Sequence, residues 1–293
     1  MSGRPIVDVC IPCFNEERYI QETVESVLNQ TYKRFILHIV DNHSTDRTLQ
    51  IVKQIKDPRI RIHRHSKNIG MFGNMNRCVK LAAAPYVKIL CADDLLTPDC
   101  LARQAKMLTQ NKSVNLVYSA SRIIDEYGKT LFIRRFFHGN KYTPGKQLIR
   151  RVLTAGRNPI GEPTTVTYRN STVKTHPSQF DLSYVHVGDL DFWIHILRYG
   201  AGYYIDKPLS SFRVHHGSST AKVIKTMYAD HRRLLKRYAH AYGLSRLERG
   251  IAFVRLCCFI AAKSLLFQLL WLTKYNAGKY EEKKDKGVRR RDV

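Results

Sequence analysis

The stretch Val87–Pro98, VKILCADDLLTP, decides the fold. An apolar run of strand length (Tyr86, Val87, Ile89, Leu90) stops at Asp93 and Asp94, and Pro98 stands where a first helical turn begins. In an open α/β sheet, ligands bind beyond the carboxyl ends of the strands, so two acids at that point face a pocket. Clustered carboxylates suit a hard divalent cation, and a diphosphate is a usual reason for holding one. An acidic loop that merely caps a helix reads the same way in isolation, so the flanking chain has to decide.

Upstream, residues 6–12 (IVDVCIP) form an apolar first strand ended by Pro12, and Asn15, Glu16 and Glu17 open a helix reaching about Gln30. A second strand, FILHIVD at 35–41, closes in the turn NHSTD, where Ser44 or Thr45 can cap the next helix. RIRIHRH at 59–65 alternates as a half-exposed third strand, and NIGMFGNMNR at 68–77 is a glycine-containing turn that opens a helix ending near Ala83. Downstream, a helix over 98–110 and a strand over 114–121 continue the pattern. Alternating strand and helix predict a parallel sheet with right-handed crossovers.

From 122 to 180 the alternation stops in a loop-rich stretch with a helix over 145–154, read as an acceptor-side insertion and not a separate core. A helix then covers 185–200, with Leu190, Trp193, Ile194 and Leu197 on one face and Asp189 and Asp191 at its start. A strand region over 203–214 leads to His215 and His216.

The chain has 293 residues, enough for one large α/β domain, and its 44% hydrophobic content can fill a core. Forty-nine Lys and Arg against 24 Asp and Glu give +25, which favours phosphate-rich ligands or anionic surfaces. The basic residues are scattered and show no base-reading pattern, so nucleic acid is not the expected partner. Seven cysteines without regular spacing give no disulfide framework, which suits a reducing cytosolic setting. Ser2 to Pro5 lead straight into a strand pattern, so no signal peptide is expected.

Set in order, six runs resemble the family 2 glycosyltransferases: VDVCIPCFNE at 7–16, IVDNHSTDRT at 39–48, NIGMFGNMNR at 68–77, CADDLLTP at 91–98, GDLDFW at 188–193 and FRVHHGS at 212–218. The resemblance implies a GT-A fold: a Rossmann-like α/β mixed, mainly parallel sheet with flanking helices, here with a C-terminal helical extension. It implies a catalytic domain over 1–218, divided into a nucleotide-binding half (1–121) and an acceptor-binding half (122–218). Helices over 219–275 and a basic tail over 276–293 would follow.

The implied activity is inverting transfer of a sugar from a UDP-, GDP- or dTDP-sugar to a hydroxyl of a glycan or lipid-linked acceptor, in cell-surface polysaccharide synthesis. Pro12, Phe14, Asn15, Glu16, Asp41, Asn68, Gly70, Asn76, Ala92, Asp93, Asp94 and Arg213 would surround the nucleotide-sugar. Asp93 and His215 would hold Mg2+ or Mn2+ at the diphosphate. Asp189 would be the general base, with Asp191 secondary. The chain departs from the pattern at Cys91, where the family has an acid, with Asp94 as a compensating carboxylate. It departs again at Met75, where many relatives have Arg, and at Gly188, where they have Glu.

Two other readings share some features: a sugar nucleotidyltransferase, and a chemically impaired module that binds anionic surfaces. The first calls for a glycine-rich loop with a Lys near the first strand, which residues 10–20 lack.

Finally, 246–274 is the most apolar helical stretch, interrupted by Arg255 and Lys263. On a helical wheel Glu248, Arg249, Arg255, Lys263 and Lys274 share roughly one third of the circumference. That pattern predicts an interfacial helix, with its charged stripe among headgroups and the enzyme peripheral on the cytoplasmic face of an anionic membrane. The competing expectation is a helix packed on the catalytic domain.

Overall fold

The computed structural model describes residues 6–176, 179–215, 224–262 and 264–265. Apolar strands alternate with amphipathic helices in the first half, and these pair as the alternation predicts. β1 (Val7–Cys13), β2 (Phe35–Asp41), β3 (Ile60–Arg64) and β4 (Tyr86–Ile89) run parallel, in the order β3-β2-β1-β4. Their connections are α1 (Ile20–Leu28), α2 (Thr48–Gln54) and α3 (Met71–Leu81).

Beyond β4 come the short β5 (Leu95–Leu96), α4 (Cys100–Gln110), β6 (Val114–Ile124) and β7 (Thr130–Arg134). β8 (Lys141–Thr143), α5 (Gly145–Thr154), β9 (Val166–Arg169), α6 (Asn170–Thr175), α7 (Gly188–Leu197), β10 (Ala201–Arg213) and α8 (Ile224–Tyr238) follow. The sheet continues β4-β9-β6-β10-β5, with β9 antiparallel to both of its neighbours and β10 parallel to β6. The stretch read as an insertion thus supplies a central strand: the β-branched run TVTYR drops β9 between β4 and β6 and joins the two halves.

Apolar side chains fill both faces of the sheet. On one face Val9 and Ile11 meet Ile20 and Val24 of α1 and Leu101 and Leu108 of α4. On the other, Phe72 of α3, Leu148 of α5, Trp193 of α7 and Leu234 and Tyr238 of α8 form one cluster, so α8 belongs to the same core as the site-bearing helices. Full burial of a residue such as Phe192 contributes about 1.5–3 kcal/mol.

Two local expectations change. The first helix begins at Ile20, because Asn15 adopts φ 55°, a left-handed conformation that a helix cannot contain. The second helix is opened by Asp46, whose Oδ1 accepts from Thr48 N–H at 2.9 Å; Ser44 and Thr45 instead brace the loop after β1.

The chain is helical again over 246–262; the rest of the expected helix beyond 265, together with Lys263, the tail over 276–293 and His216, lies outside the described residues. Of the charged stripe, Glu248 and Arg255 reach the domain, Arg249 is exposed, and Lys263 and Lys274 lie outside the described residues. Glu248 pairs with Arg150, Arg255 Nη1 donates to Thr154 O at 3.0 Å, and Ala252 and Leu256 are buried between them. The physical reason is that the C-terminal end of α5 offers carbonyls that attract a guanidinium. The opposite side is apolar and open, with Leu247, Ile251, Val254 and Leu265 exposed.

Candidate active site

The parallel strands end together: Cys13 is in register with Asp41, and Cys10 with Ile89. A cleft of about 300 Å³ opens at these ends. Pro12, Cys13, Phe14 and Glu16 line it from the first strand and loop, and Asn42 from the second. Asn68, Gly70, Met71, Asn74 and Met75 line it from the glycine turn and α3, and Cys91, Ala92, Asp93 and Phe212 complete it. The turn holds its shape because Asn42 bonds three of its members: Nδ2 donates to Asn68 Oδ1 at 2.8 Å and to Gly70 O, and Oδ1 accepts from Ile69 N–H. Gly70 has φ +79°, which favours glycine.

Of the residues singled out from sequence, Pro12, Phe14, Glu16, Asn68, Gly70, Ala92 and Asp93 meet at this cleft. His215 joins them through Asp93, its Nε2 3.1 Å from Asp93 Oδ2, with its ring against Tyr19. Burial, and next the charge of Asp93, push the Glu16 carboxyl up to about 7, with His215 opposing.

The others have different places. Asn15 Oδ1 accepts from Thr45 N–H, and the Asp41 carboxylate is committed to Ser44 N–H and Arg64. Asn76 clamps the backbone of Phe180 in both directions.

Asp94 is fully buried beneath the loop. Its Oδ2 meets the Thr164 hydroxyl and its Oδ1 accepts from Arg213 N–H at 2.9 Å. The bond from Asp94 N–H to Cys91 O turns the loop there, so the two adjacent acids serve different sides. Burial, then the charge of Asp93, hold Asp94 well above the usual carboxylate range. The same burial leaves the Cys91 thiol neutral.

Arg213 is also a correction. Its side chain is buried, donating from Nε to Asp93 O at 2.8 Å and from Nη1 to the carbonyls of Asp125 and Glu126, while Nη2 pairs with Glu22. It ties α1 to the acidic loop and to the turn after β6, behind the cleft.

Asp189 and Asp191 stand in the first turn of α7 with unlike surroundings. Asp191 is buried, accepts from Tyr238 O–H at 2.8 Å and lies near Arg237, which makes it an anchor for α8. Asp189 is partly exposed; its Oδ1 accepts from Leu190 N–H and its Oδ2 from Asn158 Nδ2 at 3.0 Å. The setting of its carboxyl pushes it up to about 7: desolvation dominates, the Glu162 charge adds, and Leu190 N–H opposes. A Cβ at 188 would sit 2.6 Å from the Phe72 ring, so a larger residue there would need that ring to shift.

Residues 158–165 were not singled out from sequence, yet they bridge the two sets of acids. Asn158 reaches Asp189, Glu162 pairs with Arg134, and Thr164 reaches Asp94 and accepts from Cys91 N–H. The buried Lys88 Nζ donates to Thr164 O at 2.8 Å and to Gln104, fixing the segment to β4.

Among the described residues no group of three or more His, Cys, Asp or Glu is placed to close around a metal ion. Asp93 and His215 instead form a pair with the Glu16 carboxyl near enough to feel the charge of Asp93, and oxygen and imidazole donors of this kind suit a divalent ion that takes its other ligands from elsewhere.

Comparison with known proteins agrees with this layout. The family model described as glycosyl transferase family 2 matches residues 8–175. An uncharacterised glycosyltransferase of Methanocaldococcus jannaschii is 37% identical over 132 residues, 44% of this chain and 46% of that protein. A chondroitin synthase of Escherichia coli is 35% identical over 129 residues, 43% of this chain and 19% of that one. The chain therefore spans less than half the length of either.

Among solved structures, S. aureus TarS 1-349 in complex with UDP-GlcNAc has a TM-score of 0.62 at 19% identity, covering 87% of this chain and 71% of that one. The mannosyltransferase PcManGT from Pyrobaculum calidifontis, in complex with GDP-Man and Mn2+, has a TM-score of 0.57 at 20% identity, covering 93% and 81%. At these identities the likeness is one of fold.

Proposed function

Because the chain belongs to glycosyl transferase family 2, we propose that it moves a sugar from a nucleotide-sugar, bound in the 300 Å³ cleft, to an acceptor hydroxyl with inversion at the anomeric carbon. The observation that carries this reading is the pairing of a strand-end cleft walled by Asp93 with an acid, Asp189, pushed up to about 7, one bridging segment touching both the acidic loop and Asp189.

In this reading Asp189 takes the proton of the acceptor hydroxyl as that oxygen attacks C1, and the bond from C1 to the nucleoside diphosphate breaks in the same displacement. Asp93 and His215 would hold Mg2+ or Mn2+; when bound, such an ion offsets the charge on the departing diphosphate. Phe14 and the turn around Asn68 and Gly70 wall the nucleotide end, where Met75 offers an apolar contact. The UDP-GlcNAc and GDP-Man of the structural neighbours support a nucleotide-sugar donor, and the chondroitin synthase relative supports a glycan acceptor. Release of nucleoside diphosphate from UDP-, GDP- and dTDP-sugars, with and without Mg2+ or Mn2+, tests the reading. Turnover of none of them would contradict it.

The same proposal places the enzyme at an anionic, cytoplasmic membrane surface, where a lipid-linked acceptor would be met. Among the described residues no helix is long and apolar enough to cross a membrane. Support for surface contact comes from the open side of the helix over 246–262, where Leu247 is 73% and Val254 60% exposed, in a chain of net charge +25. Ile251→Glu with Val254→Glu is expected to abolish co-sedimentation with phosphatidylglycerol vesicles while leaving thermal stability intact. Unchanged sedimentation would rule out this face as the contact.

A further inference from the structure

We propose that Asn158 is a positioning residue: its side-chain amide holds the Asp189 carboxyl in the orientation from which it takes the acceptor proton. This rests on the reading of Asp189 as base. The amide has one way to lie. Its Oδ1 accepts from Ile160 N–H at 2.9 Å and Gly161 N–H at 2.8 Å, so Nδ2 is left to donate, to Gly161 O at 2.9 Å and Asp189 Oδ2 at 3.0 Å. A flipped amide would set its NH2 group against two backbone donors.

The turn is fixed from outside as well. Gly161 has φ +101°, and a Cβ there would lie 2.6 Å from Thr165 Oγ1, which itself donates to Ile160 O at 3.1 Å. Arg134 Nη1 donates to Glu162 Oε1 at 2.6 Å, and Thr164 and Lys88 lock the next turn to the acidic loop and β4. The position of Asn158 is thereby set by the donor side of the site.

Asp189 is then gripped by one donor on each oxygen, Leu190 N–H on Oδ1 and Asn158 on Oδ2, with a lone pair left for an incoming proton. The ionisable group acting on it from the facing turn is Glu162, itself paired with Arg134.

The titration arm of the test needs no knowledge of the donor. Asn158→Ser keeps the turn, because a serine hydroxyl can accept from Ile160 N–H, but it is too short to reach Asp189. Asn158→Ala removes both functions and is the second variant. Aspartate carboxyls are followed by 13C NMR as pH is varied, the Asp189 signal being identified by its loss in Asp189→Asn.

Removing a donor to the charged form disfavours that form, so the Asp189 midpoint should rise by about one pH unit in both variants. In transfer assays kcat should fall about tenfold with donor KM unchanged. A midpoint that stays where it was overturns the inference, whatever happens to thermal stability, because a merely structural turn would not move it. If Asp189→Asn retains transfer, it is the reading of the base that fails, and the midpoint still decides whether Asn158 controls this carboxyl.

Discussion

Asp189→Asn is expected to lower sugar transfer by about 10²–10⁴-fold, the usual contribution of a positioned acid–base group. The amide keeps the size of the side chain but cannot accept a proton at neutral pH. Donor affinity should stay within about twofold, because a base that acts on the acceptor leaves nucleotide binding alone, and Asp189 is not among the residues lining the donor cleft.

The same assignment fixes the sign of the pH dependence. Asp189 works as the carboxylate, so transfer in the native enzyme should fall as pH drops through about 7. Asp191→Asn is the comparison: its carboxyl holds Tyr238 and Arg237, so the substitution should weaken folding by about 1–3 kcal/mol and leave the chemistry in place. Should Asp191→Asn damage transfer more than Asp189→Asn in folded protein, the base has been misassigned.

Asp93→Asn is expected to abolish the stimulation of donor turnover by Mg2+ or Mn2+, since a neutral amide is a poor ligand for a hard cation. The fold should survive. What ties Asp93 to the scaffold is its backbone carbonyl, which accepts from Arg213, while its side chain meets, among the described residues, His215. Titration of turnover against metal concentration reads the effect; an equal metal response in variant and native enzyme would remove Asp93 from that role.

The part of this site that sequence reveals is the part carried by short runs at strand ends. An apolar strand that stops in an acid places that acid at the sheet's carboxyl edge, so the sequence alone locates Asp93 and the first two loops there. His215 was found because it sits two residues beyond Arg213 in a recognisable run, and the structure sets it 3.1 Å from Asp93.

Adjacency misled at Asp94 and Arg213. A backbone turn at Cys91 sends Asp94 inward, and the partners of Arg213 come from α1 at Glu22 and from loops around 93 and 125, which no local pattern connects. β9 was missed because four residues behind a short 3-10 turn give little periodicity, although its β-branched run was a usable signal. Asn158 was out of reach altogether: its contact with Asp189 spans 31 residues and depends on the shape of a turn.

The most direct measurement of the central claim is the configuration at the anomeric carbon of the first-formed product, read by time-resolved 1H NMR from whichever α-linked nucleotide-sugar the enzyme turns over. A single displacement, with Asp189 as base and no covalent nucleophile, predicts that the sugar first appears in the β configuration. A product that first appears as α, with configuration retained, would contradict the account.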